Sequence, residues 1–445
     1  MKSLEQLNQK TVSASGLSDV TGEVKVESYF SSDQFFYVKE SDVMTLITYI
    51  QRAKKSQVKI ENWAGDDVRE RFSKIRQTVV ENAYQIAGIE ASFQGTTRQF
   101  QNRWNVQPIV DLIDHLLSQM SFFDQSAPKG LIGAVTPKFQ SFYEIGWRIL
   151  YALFHKDGLI VKPATETALA GYIWQEILAE CDLPEGLISF VYGPGVRVGK
   201  FLLDHPGVKN ISFSGAYETL KNSPLSLEKK YQFFFNGKNS VCLLPDFDFK
   251  THMQDIVALF VEHNGRSVFS PTRLFVVDSI EAEFKAALAN YLVTIPILKS
   301  IDDQFGILPL KSFEQQALNQ TKRAFQKEEG KLIFENEQFG FFSDLANCSE
   351  LYQNNLELPI YNLTAVKYVH EMAKWINNNS FGHSMVVFGP PEKAKKLILK
   401  AEVGAALFNP HPLSFKPITP VKMSGFGEVD RKIPNSFFSY CKTSE

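Results

Sequence analysis

Cysteine is scarce. Cys181, Cys242, Cys348 and Cys441 are the only four in 445 residues, widely separated and with no CxxC pair. This spacing argues against a disulfide framework or a zinc site and predicts buried, reduced thiols, so no metal is expected. Long hydrophobic runs are absent too. No apolar stretch reaches the roughly 18 residues needed to span a bilayer, and the opening MKSLEQLNQK lacks a signal-peptide core. The expectation is a cytoplasmic protein with no membrane partner. Nor does one sign of charge dominate: 47 Lys and Arg stand against 49 Asp and Glu, a formal net charge of −2. That balance leaves no electrostatic footprint for nucleic acid.

What is present suits an ordinary globular protein, with 44% hydrophobic and 22% charged residues. The length admits two or three domains. Phenylalanine is the one excess, at 37 residues, and several fall where polar groups would be expected.

To about Asn105 the pattern reads as helical. Asp42 to Ser56 and Asp66 to Ala91 carry apolar residues three and four apart, including Phe72, Ile75, Val79, Val80 and Ala83. From Lys129 the texture changes. Strands are expected at Gly130–Val135, Leu159–Val161, Leu187–Tyr192 and Asn210–Phe213, with helices at Phe142–Phe154, Glu166–Glu180 and Val198–Asp204. That alternation implies a parallel sheet with right-handed crossovers. From about Tyr231 a second alternating region begins. It has strands at Asn239–Leu244, Arg273–Val277 and Ser384–Phe388, and helices at Met253–Glu262, Ile280–Leu292 and Thr364–Asn377. Lys322–Ile333 and Phe339–Leu345 read as irregular, and the portion from Gly404 as turns.

Seven short patterns occur in a telling order: Gly133-Ala134-Val135-Thr136-Pro137, Val161-Lys162-Pro163, Gly193-Pro194-Gly195 with Gly199, and Ile211-Ser212-Phe213-Ser214-Gly215. Then come Gly237-Lys238-Asn239, Gly265 with Arg273 eight residues on, and Lys422-Met423-Ser424-Gly425-Phe426-Gly427. Each alone is weak. Together they resemble the aldehyde dehydrogenase superfamily over nearly the whole chain. The resemblance implies an α/β protein with a Rossmann-type cofactor domain (1–230 with 410–445) and a second α/β catalytic-type domain (231–409). In that family a cysteine attacks the aldehyde, hydride passes to NAD(P), and a glutamate activates the water that hydrolyses the thioester. An asparagine and backbone N–H groups hold the oxyanion.

This chain departs from that chemistry at three positions. The family cysteine, three residues after the glycine and five before the arginine, is replaced by Val268. Valine has no lone pair with which to attack, whereas the thiolate is the strongest ordinary side-chain nucleophile near neutral pH. The glutamate position carries Phe234, and the oxyanion asparagine position carries Phe139. Ser267 and Ser270 supply hydroxyls near Val268, but the motif brings them no base. The expectation is a catalytically silent member that binds a small molecule or a protein partner. The alternative is an NAD(P)-dependent oxidoreductase or acyl-transfer enzyme with an unfamiliar nucleophile.

The resemblance implies an adenine-ribose contact for Lys162, against the plainer reading of an exposed turn lysine. Gly193, Gly195 and Gly199 suit close approach of a dinucleotide, though tight-turn chemistry alone also accounts for them. Gly215 matches a phosphate-side glycine, but Ala216 and Leu220 replace a serine and a glycine. On the nicotinamide side Asn355, Glu357 and Lys138 stand where the family has glutamate, phenylalanine and tryptophan. NAD or NADP binding is therefore expected to be weak. Only about ten residues, Met120 to Gly130, are left for the family's oligomerisation hairpin. A reduced hairpin predicts a monomer or a non-standard oligomer.

Overall fold

The computed structural model describes residues 4–19, 22–123, 126–221, 224–235, 237–409, 421–422, 425–427 and 440–441. Asn236, Met423, Ser424 and the expected closing turns beyond Asn409 lie outside these. The chain divides into two compact units, Met1–Phe233 with Ser300–Asp302 and Gly427–Glu445, and Phe234–Lys299 with Asp303–Phe426.

In the first unit, Asn210–Gly215, Leu131–Val135, Gly158–Lys162 and Ile188–Phe190 lie side by side in that order, all parallel. Leu131–Val135 and Gly158–Lys162 are buried along their whole lengths. This is the pattern of a sheet covered on both faces, which is why these strands read as continuous apolar runs. Helices Ser141–Phe154 and Ala168–Ala179 link the strands, and Trp174 joins the two helices. Its ring stacks on Phe142 at 4.7 Å, and Nε1–H donates to the Phe142 carbonyl at 2.9 Å.

The N-terminal part corrects the sequence expectation. Thr11–Ser13, Gly16–Ser18, Val24–Glu27 and Phe35–Val38 form a four-stranded sheet before the first long helix, Val43–Ile60. These strands are three or four residues long, too short to show an alternating pattern, and their stability comes from pairing across the chain. The expected helix Asp66 to Ala91 is two, Gly65–Glu81 and Ala83–Gln94, broken at Asn82.

In the second unit, Phe339–Ser343, Ile360–Val366, Pro271–Val277, Asn239–Leu243, Ser384–Phe388 and Ala405–Phe408 are parallel neighbours in that order. Lys331–Asn336 pairs antiparallel at the outer edge. The region read as irregular is therefore ordered: a helix, Ser312–Lys327, followed by two strands. The expected helix Thr364–Asn377 is instead a buried strand, Ile360–Val366, and a shorter helix, Val369–Asn377. The strand's last residues, Thr364 to Val366, run directly into the amphipathic helix, so the apolar pattern does not mark the boundary. Of the thiols, Cys181 and Cys242 are buried as expected, while Cys348 is exposed. No helix among the described residues is long and apolar enough to cross a membrane.

Ser141–Phe154 begins with its free backbone N–H groups pointing into protein rather than water. Three distant side chains take them up. Gln94 Oε1 accepts from Gln140 N at 2.9 Å, Glu90 Oε2 from Phe142 N at 3.2 Å, and Asn105 Oδ1 from Tyr143 N at 3.2 Å. Glu90 Oε2 also accepts from Gln94 Nε2 at 2.5 Å, Ser141 Oγ at 3.1 Å and Asn105 Nδ2 at 3.4 Å. Orphan donors at a helix start must find acceptors. Burial nevertheless dominates, raising the Glu90 carboxyl from its ordinary 4.5 to about 7.

The folded state therefore favours the protonated acid. Its contribution to stability is fully present below pH 4.5 and is lost as pH rises through 7. Denaturant titrations of the parent and Glu90→Gln across this window should show the parent losing stability relative to the variant, by on the order of 3 kcal/mol. A pH-independent difference would exclude the assignment.

Candidate functional site

In the first unit the structure gathers four of the expected cofactor residues. Lys162 ends the strand Gly158–Lys162, and its Cδ lies 4.0 Å from where a Cβ on Gly199 would stand. It is 4% exposed, and among the described residues no acceptor lies within hydrogen-bond reach of Nζ. The plainer alternative of an exposed turn lysine does not hold. Burial lowers its ammonium to about 8, with Glu166 pulling the other way. Three residues on, Thr165 donates to the Gly193 carbonyl at 3.3 Å, joining the end of this strand to the glycine loop.

The loop has its own requirements. Gly193 adopts φ +130°, and a Cβ there would sit 2.8 Å from both Glu40 Cγ and Val198 Cγ2. Glycine is needed on conformational and steric grounds alike. Gly195 is different, for nothing lies within 4 Å of its would-be Cβ. Gly215 closes the strand Asn210–Gly215, and a Cβ there would stand 3.0 Å from the Phe213 ring. Ser214, just before it, accepts from Arg148 Nη2 at 2.6 Å, and Ser212 accepts from Arg148 Nε at 2.9 Å. Arg148 is buried and paired with Glu144 at 2.7 Å. Both hydroxyls are thus engaged by the protein itself, a contact that no local motif announced.

Phe139 is 4% exposed, with its ring 5.8 Å from Phe100. It belongs to the apolar packing beside the Glu90 cluster. Gln140, next in sequence, is left-handed at φ +54° and is held through its N–H by Gln94. Lys138 is exposed.

The second unit keeps the loop around Val268 in a defined shape. Asn264 and Gly265 are consecutive left-handed residues at φ +49° and +72°. A Cβ on Gly265 would run into the Leu358 backbone. Asn239 Nδ2 donates to the carbonyls of Val268 at 2.6 Å and Ser270 at 3.1 Å, while its Oδ1 accepts from Ser384 N at 3.0 Å. Arg266 pairs with Glu314 at 3.2 Å and donates to Pro309 O at 2.8 Å. Buried Arg273 donates to the Lys238 carbonyl at 2.6 Å, and Lys238 Nζ donates to Asn354 O at 2.7 Å. Burial beside Arg273 lowers the Lys238 ammonium to about 7.

The loop offers little for chemistry. Val268 and Phe234 are half-buried. Ser270 Oγ accepts from Gly265 N at 3.0 Å and Ser267 Oγ from Phe269 N at 3.1 Å, so both hydroxyls help to shape the turn. Cys242, in Asn239–Leu243, is fully buried, and burial pushes its thiol up to about 12. Sequence reasoning does not single out His383. It is buried with its ring 5.1 Å from Phe269, and burial lowers it to about 4, leaving a neutral imidazole beside the loop. No group of three or more His, Cys, Asp or Glu among the described residues could hold a metal ion.

Gly265→Ala combines a left-handed backbone with a backbone collision, so it should destabilise the chain by at least about 2 kcal/mol. Chemical denaturation measures this, and a near-neutral result would mean the turn is not as described.

The family model described as the aldehyde dehydrogenase family matches residues 18–444. An alpha-ketoglutaric semialdehyde dehydrogenase of Bacillus subtilis is 26% identical over 296 residues, 62% of this chain and 60% of that protein. A betaine aldehyde dehydrogenase of the same organism is 26% identical over 326 residues, covering 69% and 66%. These matches span under two thirds of each relative's length. Among solved structures, betaine aldehyde dehydrogenase of Staphylococcus aureus in complex with NAD+ superposes with a TM-score of 0.85 at 17% identity, over 96% of this chain and 92% of that one. An aldehyde dehydrogenase of Bartonella henselae gives the same TM-score and identity, over 94% and 95%.

Proposed function

The chain belongs to the aldehyde dehydrogenase family, and we propose that within it this protein is a catalytically silent member that binds a ligand through the adenine half of the former cofactor site. The observation that carries this reading is the loop around Val268. Its backbone is held by Asn239 and by the left-handed turn at Gly265, but the side chain it presents is a hydrocarbon. A valine forms no thiohemiacetal, and without that adduct hydride has no route to an acceptor. Phe234 supplies no base for deacylation, and buried Phe139 supplies no donor for an oxyanion.

NAD or NADP is the group the family implies, and the first unit's residues fit its adenosine end. Lys162 Nζ has no hydrogen-bond acceptor among the described residues, Gly195 leaves open space, and Gly199 lies against the Lys162 side chain. When bound, the dinucleotide supplies a hydride acceptor. On the nicotinamide side the resemblance matches Asn355, Glu357 and Lys138 to a family glutamate, phenylalanine and tryptophan, so the family's contacts to that end are not kept. The protein is read as cytoplasmic, and as a monomer or non-standard oligomer.

The activities for which the relatives are named favour a second reading, aldehyde oxidation, which in this chain, like an acyl transfer, would need an atypical nucleophile such as Ser267 or Ser270. Against it stand the hydrogen bonds by which both hydroxyls accept from the backbone of their own turn, and a motif that brings them no base. Purified protein incubated with short, long and aromatic aldehydes plus NAD or NADP should show no turnover above background. Turnover abolished by a Ser267→Ala or Ser270→Ala change would establish the second reading instead.

Restoring Val268→Cys, Phe234→Glu and Phe139→Asn together should still fall short of full activity. Phe139 fills core space against Phe100, and an asparagine there leaves a void and a polar group in need of partners. Recovery to the rates of active relatives would contradict this.

A further inference from the structure

We infer that Arg197, on the glycine loop, is a phosphate-binding residue held in reserve by Glu40, and that an anionic nucleotide takes Arg197 over from this internal carboxylate. The inference rests on the reading that the adenine half of the site is kept, and adds how that half is regulated.

Four observations carry it. First, Arg197 lies within Gly195–Gly199, two residues from the open space at Gly195 and two from Gly199, against which the buried Lys162 side chain lies. An arginine and a lysine with no acceptor among the described residues thus flank one short glycine loop. Such a loop allows a ligand close to the backbone, and two cations beside it suit a phosphate.

Second, Arg197 is 64% exposed yet fully committed. Nε donates to Glu40 Oε1 at 2.8 Å and Nη2 to Oε2, a side-on bidentate pair. Glu40 is its one hydrogen-bond partner among the described residues, and Glu23 adds a more distant negative charge. The fork geometry that Glu40 satisfies is the same that a phosphate satisfies.

Third, Glu40 reaches the loop as part of a strap. Lys39 N donates to Val12 O at 2.9 Å, Ser41 N donates to Tyr192 O at 2.9 Å, and Tyr192 N donates back to Ser41 Oγ at 2.9 Å. The strap runs from the N-terminal sheet to the first residue before Gly193. It lays the Glu40 side chain against Gly193, where any Cβ would collide with it.

Fourth, the contact is cheap to break. The Arg197 side chain is 64% exposed although that of Glu40 is 19% exposed, so water and salt screen the pair from the arginine side. A ligand phosphate held at once by Lys162 and by open backbone can compete with it, whereas a buried pair could not be displaced.

The test is a thermal-shift titration of the full chain with AMP, NAD, NADP and, as the uncharged control, adenosine. Glu40→Gln should tighten apparent binding of the three phosphate-bearing probes by about two- to fivefold. Arg197→Gln should weaken it by about tenfold, and the double variant should behave as Arg197→Gln alone. Adenosine should respond to neither change. A parent that binds weakly or not at all while Glu40→Gln binds measurably supports the reserve role most directly. If the parent binds the probes and neither substitution alters their affinity, this inference falls while the kept adenine half stands. If no probe shifts the parent or Glu40→Gln, the adenine-half reading falls and takes this inference with it. Both positions are exposed or partly so, hence the variants should fold as the parent does.

Discussion

The second unit is organised around one side chain, the amide of Asn239. It donates to two carbonyls of the loop around Val268, those of Val268 and Ser270, and accepts from the backbone N–H of Ser384 on the neighbouring strand. A buried amide with both ends engaged admits one loop geometry, because any other leaves polar groups unpaired away from water. The side chain at position 268 takes no part in this arrangement. The shape of this loop is therefore independent of the side chain it carries at position 268.

The same separation of scaffold from chemistry holds in the first unit. The start of Ser141–Phe154 is fixed by Glu90, Gln94 and Asn105, which together absorb its free N–H groups. The turn before it is thereby set, and Phe139 faces Phe100 as core. Those N–H groups, which at an open helix start would attract an anion, are already spoken for. What stays open is the glycine loop, where Gly195 has free space and Lys162 has no protein acceptor among the described residues.

Much of the fold was legible because burial on two faces writes a strand as an unbroken apolar run. Leu131–Val135, Gly158–Lys162 and Ser384–Phe388 all read that way. The misreadings have definite causes. The strands between Thr11 and Val38 are too short to carry a period. Ile360–Val366 carries Asn362 and Thr364 among its apolar residues and is followed at once by an amphipathic helix, so the boundary between the two is not marked. Lys331–Asn336 is an exposed edge strand whose register shifts between Leu332 and Phe334, which spoils its alternation. In the site, Val268, Phe234 and Phe139 could be found by counting from glycines and lysines. Glu90, Glu40 and His383 could not, since each acts on a residue about 50 to 150 positions away.

The sequence alone determined the ordered motifs, and with them the family, the α/β class and the valine at position 268. Those are statements about which atoms are present at which spacing. Only the tertiary structure decided whether a group is available. It placed Lys162 in the interior, Phe139 in the core, both loop serines in the turn, and Glu40 across the glycine loop from Arg197. Availability depends on burial and on who else competes for a hydrogen bond, and both are set by residues distant in the chain.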